Sequence, residues 1–141
     1  MNEGPQPRIT EINRPFWEGC RAGKLILQQC SDPACMRYVF YPRVCCPYCG
    51  CGVLEWQQAS GNGRLQSWTV VHRPGHAAFV PFVPYVFAAV VLAEGPLIYG
   101  RMMVPPDAPS LSIGTELRMV FPAVKAGAVL PAFVPIHDAG P

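Results

Sequence analysis

Cysteine is concentrated in one short window of the chain. Residues 30–51, CSDPACMRYVFYPRVCCPYCGC, hold six of the seven cysteines, and such a cluster can form disulfides, bind a metal or supply nucleophiles. The N-terminal sequence MNEGPQPRITEINRPFWEG is broken by prolines and does not match a secretory signal, so we expect a cytoplasmic protein. Disulfides are rare in that reducing compartment, and an odd number of cysteines also argues against a complete set of them. The window is therefore predicted to bind a metal.

Two cysteine pairs have the spacing of zinc ligands. Cys46 and Cys49 lie in the sequence CPYCG, a zinc-knuckle pattern in which backbone N–H groups point at the first thiolate and the glycine permits a left-handed exit from the turn. Cys30 and Cys35 enclose a turn that contains aspartate and proline. The first loop is longer than the usual two residues, but the whole pattern falls within the ligand spacing of structural zinc sites. We predict that these four cysteines bind one zinc ion.

A site of four thiolates is closed, which predicts a structural role for the zinc. Cys45 directly precedes Cys46, and Cys51 lies one residue beyond the turn glycine, so both are expected to be spare thiols. A catalytic zinc keeps an open position for water or substrate. A lobe of a few dozen residues buries too little surface to fold unaided. Bound zinc, worth roughly 10 to 16 kcal/mol in small metal-folded peptides, can supply the missing stability.

Other residues that could do chemistry show no catalytic spacing. A nucleophile and a base are available in principle, but no interval among them defines a dyad. The candidates are Cys20, Cys45 and Cys51 as nucleophiles and His72, His76 and His137 as bases. The sequence therefore favours a chain without an active site of its own.

The elements that must position the cysteines are predicted to be mostly β. Pro15 suits the first turn of a helix and Gly23 suits its exit, so one short helix is expected between them. Strand patterns follow at residues 38–41, 65–71, 84–92, 97–104, 116–121 and 129–136, where β-branched and aromatic residues dominate or alternate with polar ones. The last five of these strands are enough to form a small closed barrel.

The chain is predicted to divide into three parts. These are an N-terminal helical segment at residues 1–24, a zinc ribbon at residues 25–59, and a barrel with an apolar C-terminal tail at residues 60–141. The last boundary lies at SGNG, residues 60–63, which is a strong breaker. The uncharged stretch 77–93 has the minimum length of a membrane span. Because Pro81 and Pro84 interrupt it, we expect a buried strand there and no membrane partner.

The order of these motifs resembles the acyl-CoA-associated zinc-ribbon/OB-fold family. The resemblance covers roughly residues 14–122 and implies a rubredoxin-like zinc ribbon followed by a five-stranded OB-fold barrel. The longer loop between the first two cysteines departs from the usual pattern of that family. The motifs that carry the resemblance are Phe16-Trp17, Cys46-Pro47-Tyr48-Cys49, Ser60-Gly61-Asn62-Gly63, Pro84-Tyr85 and Glu94-Gly95.

The resemblance also implies a function. Members of the family are small, usually noncatalytic subunits that accompany thiolases, hydroxymethylglutaryl-CoA synthases or hydratases. This chain would then stabilise a thiolase-like catalytic subunit, an acyl-CoA C-acyltransferase, and help to form its site for CoA or acyl groups. The implied setting is the degradation of aromatic or other acids. A CoA thioester would be bound at the complex.

Four residues are expected to make the contacts of such a complex. Arg73 and Arg101 follow or lie within apolar strands and are candidates to bind CoA phosphates, with solvated strand ends as the alternative. Phe133 and Ile136 belong to an apolar tail whose prolines predict an edge strand or an extended arm. We expect them in the partner interface, with capping of the barrel as the alternative.

Composition helps to distinguish this function from two alternative functions. An OB barrel with a zinc ribbon can bind single-stranded nucleic acid through a basic groove and stacked aromatics. The net charge is only +2, and the eleven lysines and arginines are scattered, which disfavours that function. Charged residues make up 14% of the chain, about half the usual fraction, which favours a lasting protein partner. A free-standing carrier of acyl-CoA is the third possibility.

Overall fold

The structure is a computed structural model that describes residues 4–50, 52–107 and 111–136. The described part is mostly β, as predicted, with one short α-helix, α1 (Arg14–Arg21), and one 3₁₀ helix (Ala77–Phe82). The strands are β1 (Ile26–Cys30), β2 (Tyr38–Val39), β3 (Leu54–Gln58), β4 (Asn62–Val71), β5 (Tyr85–Leu92), β6 (Leu97–Met102), β7 (Glu116–Val120) and β8 (Ala132–Pro135).

The predicted helix is present and packs closely on the first strand. α1 has proline in its first turn, and the chain leaves it through Gly23 at φ 73°, a value that glycine adopts without strain. Phe16 and Cys20 lie one turn apart and are both buried. A Cβ at Gly19 would lie 2.6 Å from Cγ1 of Ile26, so a glycine there allows the helix to approach β1.

A three-stranded antiparallel sheet forms the ribbon, in the order β2-β1-β3. Only β2 was predicted, because β1 and β3 are short and rich in glutamine and lack clear alternation. β1 is nevertheless the central strand and buries three of its five residues. It ends at Cys30, so the sheet fixes the position of the first predicted zinc ligand.

The second half of the chain forms the predicted five-stranded closed barrel, in the order β4-β5-β6-β8-β7. Its neighbouring strands are antiparallel except for β6 and β8, which are parallel. β4 is the longest strand and contains an irregularity between Leu65 and Ser67. Bulges of this kind bend a strand, which allows β4 to pair with both β5 and β7.

The last strand differs from the prediction. The prolines of the tail indicated an edge strand or arm, but β8 pairs with β6 on one side and β7 on the other. This is possible because Pro131 precedes the strand and Pro135 ends it, so neither removes a donor from the middle of the ladder. Phe133 is fully buried and packs against Gly100, where a Cβ would lie 3.0 Å from the Phe133 ring.

One hydrophobic core joins the helix, the ribbon sheet and the barrel. Residues from the first part of the chain belong to the same buried cluster as the residues that fill the barrel. They are Phe16, Cys20, Leu25, Leu27 and Ala59 on one side and Leu65, Val86, Val90, Leu117 and Phe133, among others, on the other side. The ribbon is therefore held directly against the barrel.

Stretch 77–93 forms the 3₁₀ helix and β5. Within the described ranges no helix has the length and apolar character needed to cross a membrane.

Candidate metal centre

The four predicted zinc ligands meet at one point of the ribbon. The sulfurs of Cys30 and Cys49 are 3.6 Å apart, those of Cys35 and Cys46 are 3.8 Å apart, and all four lie within 4.8 Å of one another. A tetrahedral zinc with Zn–S bonds of about 2.3 Å separates its sulfurs by roughly 3.8 Å. The spacing of the sulfurs thus fits a Cys₄ zinc site, and the four thiolates leave no coordination position for substrate.

Asp32 shapes the first knuckle. Its side-chain Oδ1 accepts the N–H of Ala34 at 2.9 Å, and its carbonyl accepts the N–H groups of Cys35 and Met36, each at 2.9 Å. These bonds fold the four-residue loop into a compact turn, so the longer spacing of the first cysteine pair still brings its two sulfurs to the same site. The aspartate was noted in the sequence as a turn residue, but its triple role as an acceptor was not predicted.

The second knuckle has the geometry expected of CPYCG. Gly50 adopts φ 75° and donates its N–H to the carbonyl of Cys46 at 3.0 Å. Burial raises the pKa of the Cys46 thiol, but the backbone N–H groups of Cys49 and Tyr48 together with the neighbouring thiols outweigh it and lower the pKa to about 7. The thiolate is the form that binds a metal, so this turn favours the ligand state.

Two contacts connect the knuckles with each other and with the sheet. The guanidinium of Arg37 lies 3.7 Å from the centre of the Tyr48 ring, a cation–π contact between the first and second knuckles. The buried side chain of Gln28 donates to the carbonyl of Arg43 at 2.9 Å and accepts its N–H at 2.7 Å. A glutamine on the central strand thereby anchors the chain three residues before Cys46.

We expect Gln28→Leu to destabilise the ribbon. The substitution leaves both backbone groups of Arg43 without their partner, which costs about 1–3 kcal/mol. The loop before Cys46 then opens more often, and zinc passes faster to a competing chelator. Urea unfolding and the rate of zinc transfer to a chromogenic chelator measure the two effects.

Gln57→Leu is the matched control, because Gln57 is exposed on the neighbouring strand β3. It should leave both the unfolding free energy and the rate of zinc transfer close to those of the parent protein. Equal behaviour of the two variants would show that the Gln28 amide does not anchor the loop.

The remaining candidate residues for chemistry are separate from the metal site. Cys45 is exposed, and its sulfur is not one of the four that cluster. Cys20 is buried in α1, and this burial raises the pKa of its thiol to about 12, so it is not a nucleophile at neutral pH. His72 is exposed after β4, and His76 accepts the N–H of Ala78 through Nδ1 at 3.1 Å. Cys51 and His137 lie outside the described residues.

The four residues expected to contact CoA or a partner lie in different environments. Arg73 is exposed in the loop after β4. Arg101 lies on β6, half-buried, with its guanidinium 5.0 Å from the centre of the Phe82 ring. Ile136 is exposed beyond β8, whereas Phe133 is enclosed in the barrel core. The side chain of Phe133 is therefore not available to a partner while the barrel is intact.

Two family models match successive parts of the chain. The model described as ChsH2, rubredoxin-like zinc ribbon domain, matches residues 17–55, and the model described as ChsH2, C-terminal OB-fold domain, matches residues 56–122. The first match and the four-cysteine cluster support a structural zinc. The second match agrees with the closed five-stranded barrel.

Individual relatives share the sequence over much of the chain. The chain is 33% identical to a probable enoyl-CoA hydratase alpha subunit of Thermomonospora curvata over 132 residues, which are 93% of this chain and 40% of that protein. It is 40% identical to a DUF35 domain-containing scaffold protein of Methanothermobacter thermautotrophicus over 89 residues, which are 62% of this chain and 65% of that protein. The chain thus spans less than two thirds of the length of either relative.

A solved structure shares both sequence and fold with the chain. It is described as an Ltp2-ChsH2(DUF35) aldolase and matches with a TM-score of 0.77 at 31% identity, over 92% of this chain and 98% of that chain.

Proposed function

Because the chain belongs to the ChsH2/DUF35 family of zinc-ribbon and OB-fold proteins, we propose that it is a noncatalytic accessory subunit of an acyl-CoA enzyme. The observation that carries this proposal is the similarity of the chain to two proteins that are named as parts of enzymes. One is named as a probable enoyl-CoA hydratase alpha subunit, and the other is named together with Ltp2 as an aldolase. The subunit would stabilise its catalytic partner and help to form the site for CoA or acyl groups.

The chemistry of the described residues supports a noncatalytic role. In the part of the chain that the structure describes, the one group of three or more cysteine, histidine or acidic side chains with clustered ligand atoms is the four-cysteine site. Such a site holds its metal without an open position. We propose Cys30, Cys35, Cys46 and Cys49 as the zinc ligands, within a ribbon at residues 25–59 that follows the helical segment 1–24 and precedes the barrel segment 60–141.

A finer proposal concerns the partner and its substrate. We infer a thiolase-like catalytic subunit, an acyltransferase of aromatic or other acid degradation, with a CoA thioester bound at the complex. Arg73 is exposed and has no carboxylate within 4.0 Å among the described residues, so it stays the candidate for a contact to a CoA phosphate.

We expect a tagged copy of this chain, expressed in its native host, to copurify with one acyl-CoA enzyme subunit in a fixed ratio. The low content of charged residues, 14%, predicts an association that survives 0.5 M salt, because burial of apolar surface is not screened by ions. Mass spectrometry identifies the partner, and size exclusion with light scattering gives the ratio.

Single-stranded DNA provides the contrasting probe. The net charge of +2 predicts no submicromolar binding at physiological salt, because few phosphate contacts can be formed. Tight binding with a steep dependence on salt, and no enzyme in the purified material, would replace the proposed function by nucleic-acid binding.

A further inference from the structure

The outer surface of β4, β5 and β6 presents exposed aromatic rings beside one arginine, Arg101, that forms no salt bridge with a described carboxylate. Strand register places Thr69, Phe87 and Arg101 in one transverse row and Ser67, Ala89 and Tyr99 in the next row on the same face of the sheet. The alternating burial of β5 and β6 turns Phe87, Tyr99 and Arg101 away from the barrel interior. We call these two rows, with the Phe82 side chain at their margin, the aromatic face.

The three rings of the aromatic face are exposed, and two of them are stacked on each other. Phe87 and Tyr99 are stacked, with centroids 6.1 Å apart and planes 5° apart, and are 41% and 60% exposed. Phe82 is 51% exposed and lies under the guanidinium of Arg101. A fully buried aromatic side chain removes roughly 150–250 Å² from water, so about half of that area is still open at each ring. Aromatic rings exposed side by side in this way are typical of an interface.

Arg101 gives this surface a preferred partner. Its guanidinium lies 5.0 Å from the centre of the Phe82 ring, and Phe87 is its cross-strand neighbour on β5. No Asp or Glu among residues 4–50, 52–107 and 111–136 forms a salt bridge with it. An arginine placed over the face of an aromatic ring keeps its N–H groups available for bidentate bonds to a carboxylate. Arginine and aromatic side chains together are also the residues enriched at interface hot spots.

The charges on the aromatic face argue against two other occupants. Its two rows contain no acidic residue, so a second copy placed on it by a twofold axis would offer Arg101 no carboxylate. The next transverse row contains Arg64, which is engaged by Glu116 at 3.0 Å. On that side of the face, a CoA phosphate at Arg101 would therefore find no unpaired second cation.

We propose that the aromatic face is the docking surface for the catalytic acyl-CoA subunit, which inserts an aspartate or glutamate between the rings to pair with Arg101. This inference rests on the proposed function and adds to it the surface and the chemistry of the contact. Because the barrel is closed, β4, β5 and β6 offer no free strand edge here, and the contact is made by side chains.

Charge reversal in the complete protein tests the surface. We expect Arg101→Glu to weaken the complex with the copurified acyl-CoA enzyme by about 100-fold, as for a desolvated charge pair placed against a like charge. Phe87→Ser should weaken it by about 30-fold, because a central aromatic anchor is lost. Zinc content and the melting temperature of the isolated subunit should change little, since both side chains lie outside the core cluster.

Two control variants match these changes on other surfaces. Arg118→Glu reverses a charge at an exposed position of β7, and Ile113→Ser removes an apolar side chain that is 77% exposed in a turn. Both should bind the enzyme like the parent chain. Binding of all four variants within threefold of the parent would overturn the inference and leave the proposed function intact.

Cross-linking identifies the group opposite Arg101. The Arg101→Lys variant keeps the charge and adds an amine that carbodiimide couples to a neighbouring carboxylate. We expect one new amide bond between position 101 and an Asp or Glu of the catalytic subunit, located by mass spectrometry. A bond to a second copy of this chain would instead show self-association.

Loss of acyl-CoA binding by the assembled Arg101→Glu complex, without any cross-link to a carboxylate, would assign Arg101 to a CoA phosphate and overturn the inference. If the parent chain associates with no acyl-CoA enzyme, the proposed function fails, and the docking surface fails with it.

Discussion

Cys49→Ser is expected to release the zinc and unfold the ribbon. Among the described residues, the ribbon cluster around the sulfurs has three buried members, Cys30, Val39 and Cys46, and two of them are predicted ligands. The metal therefore takes the place of a hydrophobic core at the knuckle end of the ribbon, and its loss removes a binding free energy that is roughly 10–16 kcal/mol in small zinc peptides. We expect zinc to fall from about one ion per chain to about none and the melting temperature to fall by more than about 10 °C. Elemental analysis and calorimetry measure both quantities.

Cysteines outside the cluster supply the controls for this prediction. Cys45→Ser changes the residue next to a predicted ligand and should keep the zinc, because its sulfur does not belong to the cluster. Cys51→Ser and Cys20→Ser should keep it as well. Zinc loss from Cys51→Ser would place a ligand at position 51, and a metal-free protein with an unchanged melting temperature would contradict a structural role.

Phe133→Ala is expected to destabilise the barrel by about 3–5 kcal/mol. Phe133 is fully buried, its ring fills the space left by Gly100, and its strand closes the barrel between β6 and β7. Truncation leaves a cavity at the point where the barrel is joined, so the loss of packing adds to the loss of transfer free energy. Urea unfolding should show the change in the midpoint, and the melting temperature should fall by roughly 10 °C.

Ile136→Ala is the control from the same tail, because Ile136 is exposed and its truncation should cost less than about 0.5 kcal/mol. Zinc content should be unchanged in both variants, since neither side chain contacts the ribbon cluster. If Phe133→Ala unfolds like the parent chain but no longer binds its partner, Phe133 is an interface residue and the barrel is not closed as described.

The predictions that held depend on local sequence. CPYCG is a turn whose conformation is set by a few adjacent residues, and the paired cysteines therefore indicated which four sulfurs lie together. The helix between Pro15 and Gly23 was recognised for the same reason. A short, β-branched apolar run identified β5, and the alternation of apolar and polar residues identified β7. The order of motifs identified the family.

The features that were missed depend on contacts between distant residues. Gln28 lies in a strand whose sequence does not alternate between apolar and polar residues. Its side-chain amide can be buried because the backbone C=O and N–H of Arg43 bond to its nitrogen and its oxygen. Phe133 was assigned to a surface because prolines flank it, although their positions at the strand ends leave its ladder intact. The aromatic face brings the 3₁₀ helix together with β5 and β6 near Arg101, and no short window of sequence contains all three.

Reconstitution of acyl-CoA turnover tests the central claim most directly. The copurified complex is separated into its two chains, and turnover of the acyl-CoA substrate of the catalytic chain is measured for each chain alone and for the recombined pair. We expect none from this chain, little from the separated catalytic subunit, and full recovery at an equimolar ratio. Turnover by this chain alone, or a catalytic subunit that is equally stable and active without it, would contradict its assignment as a noncatalytic accessory subunit.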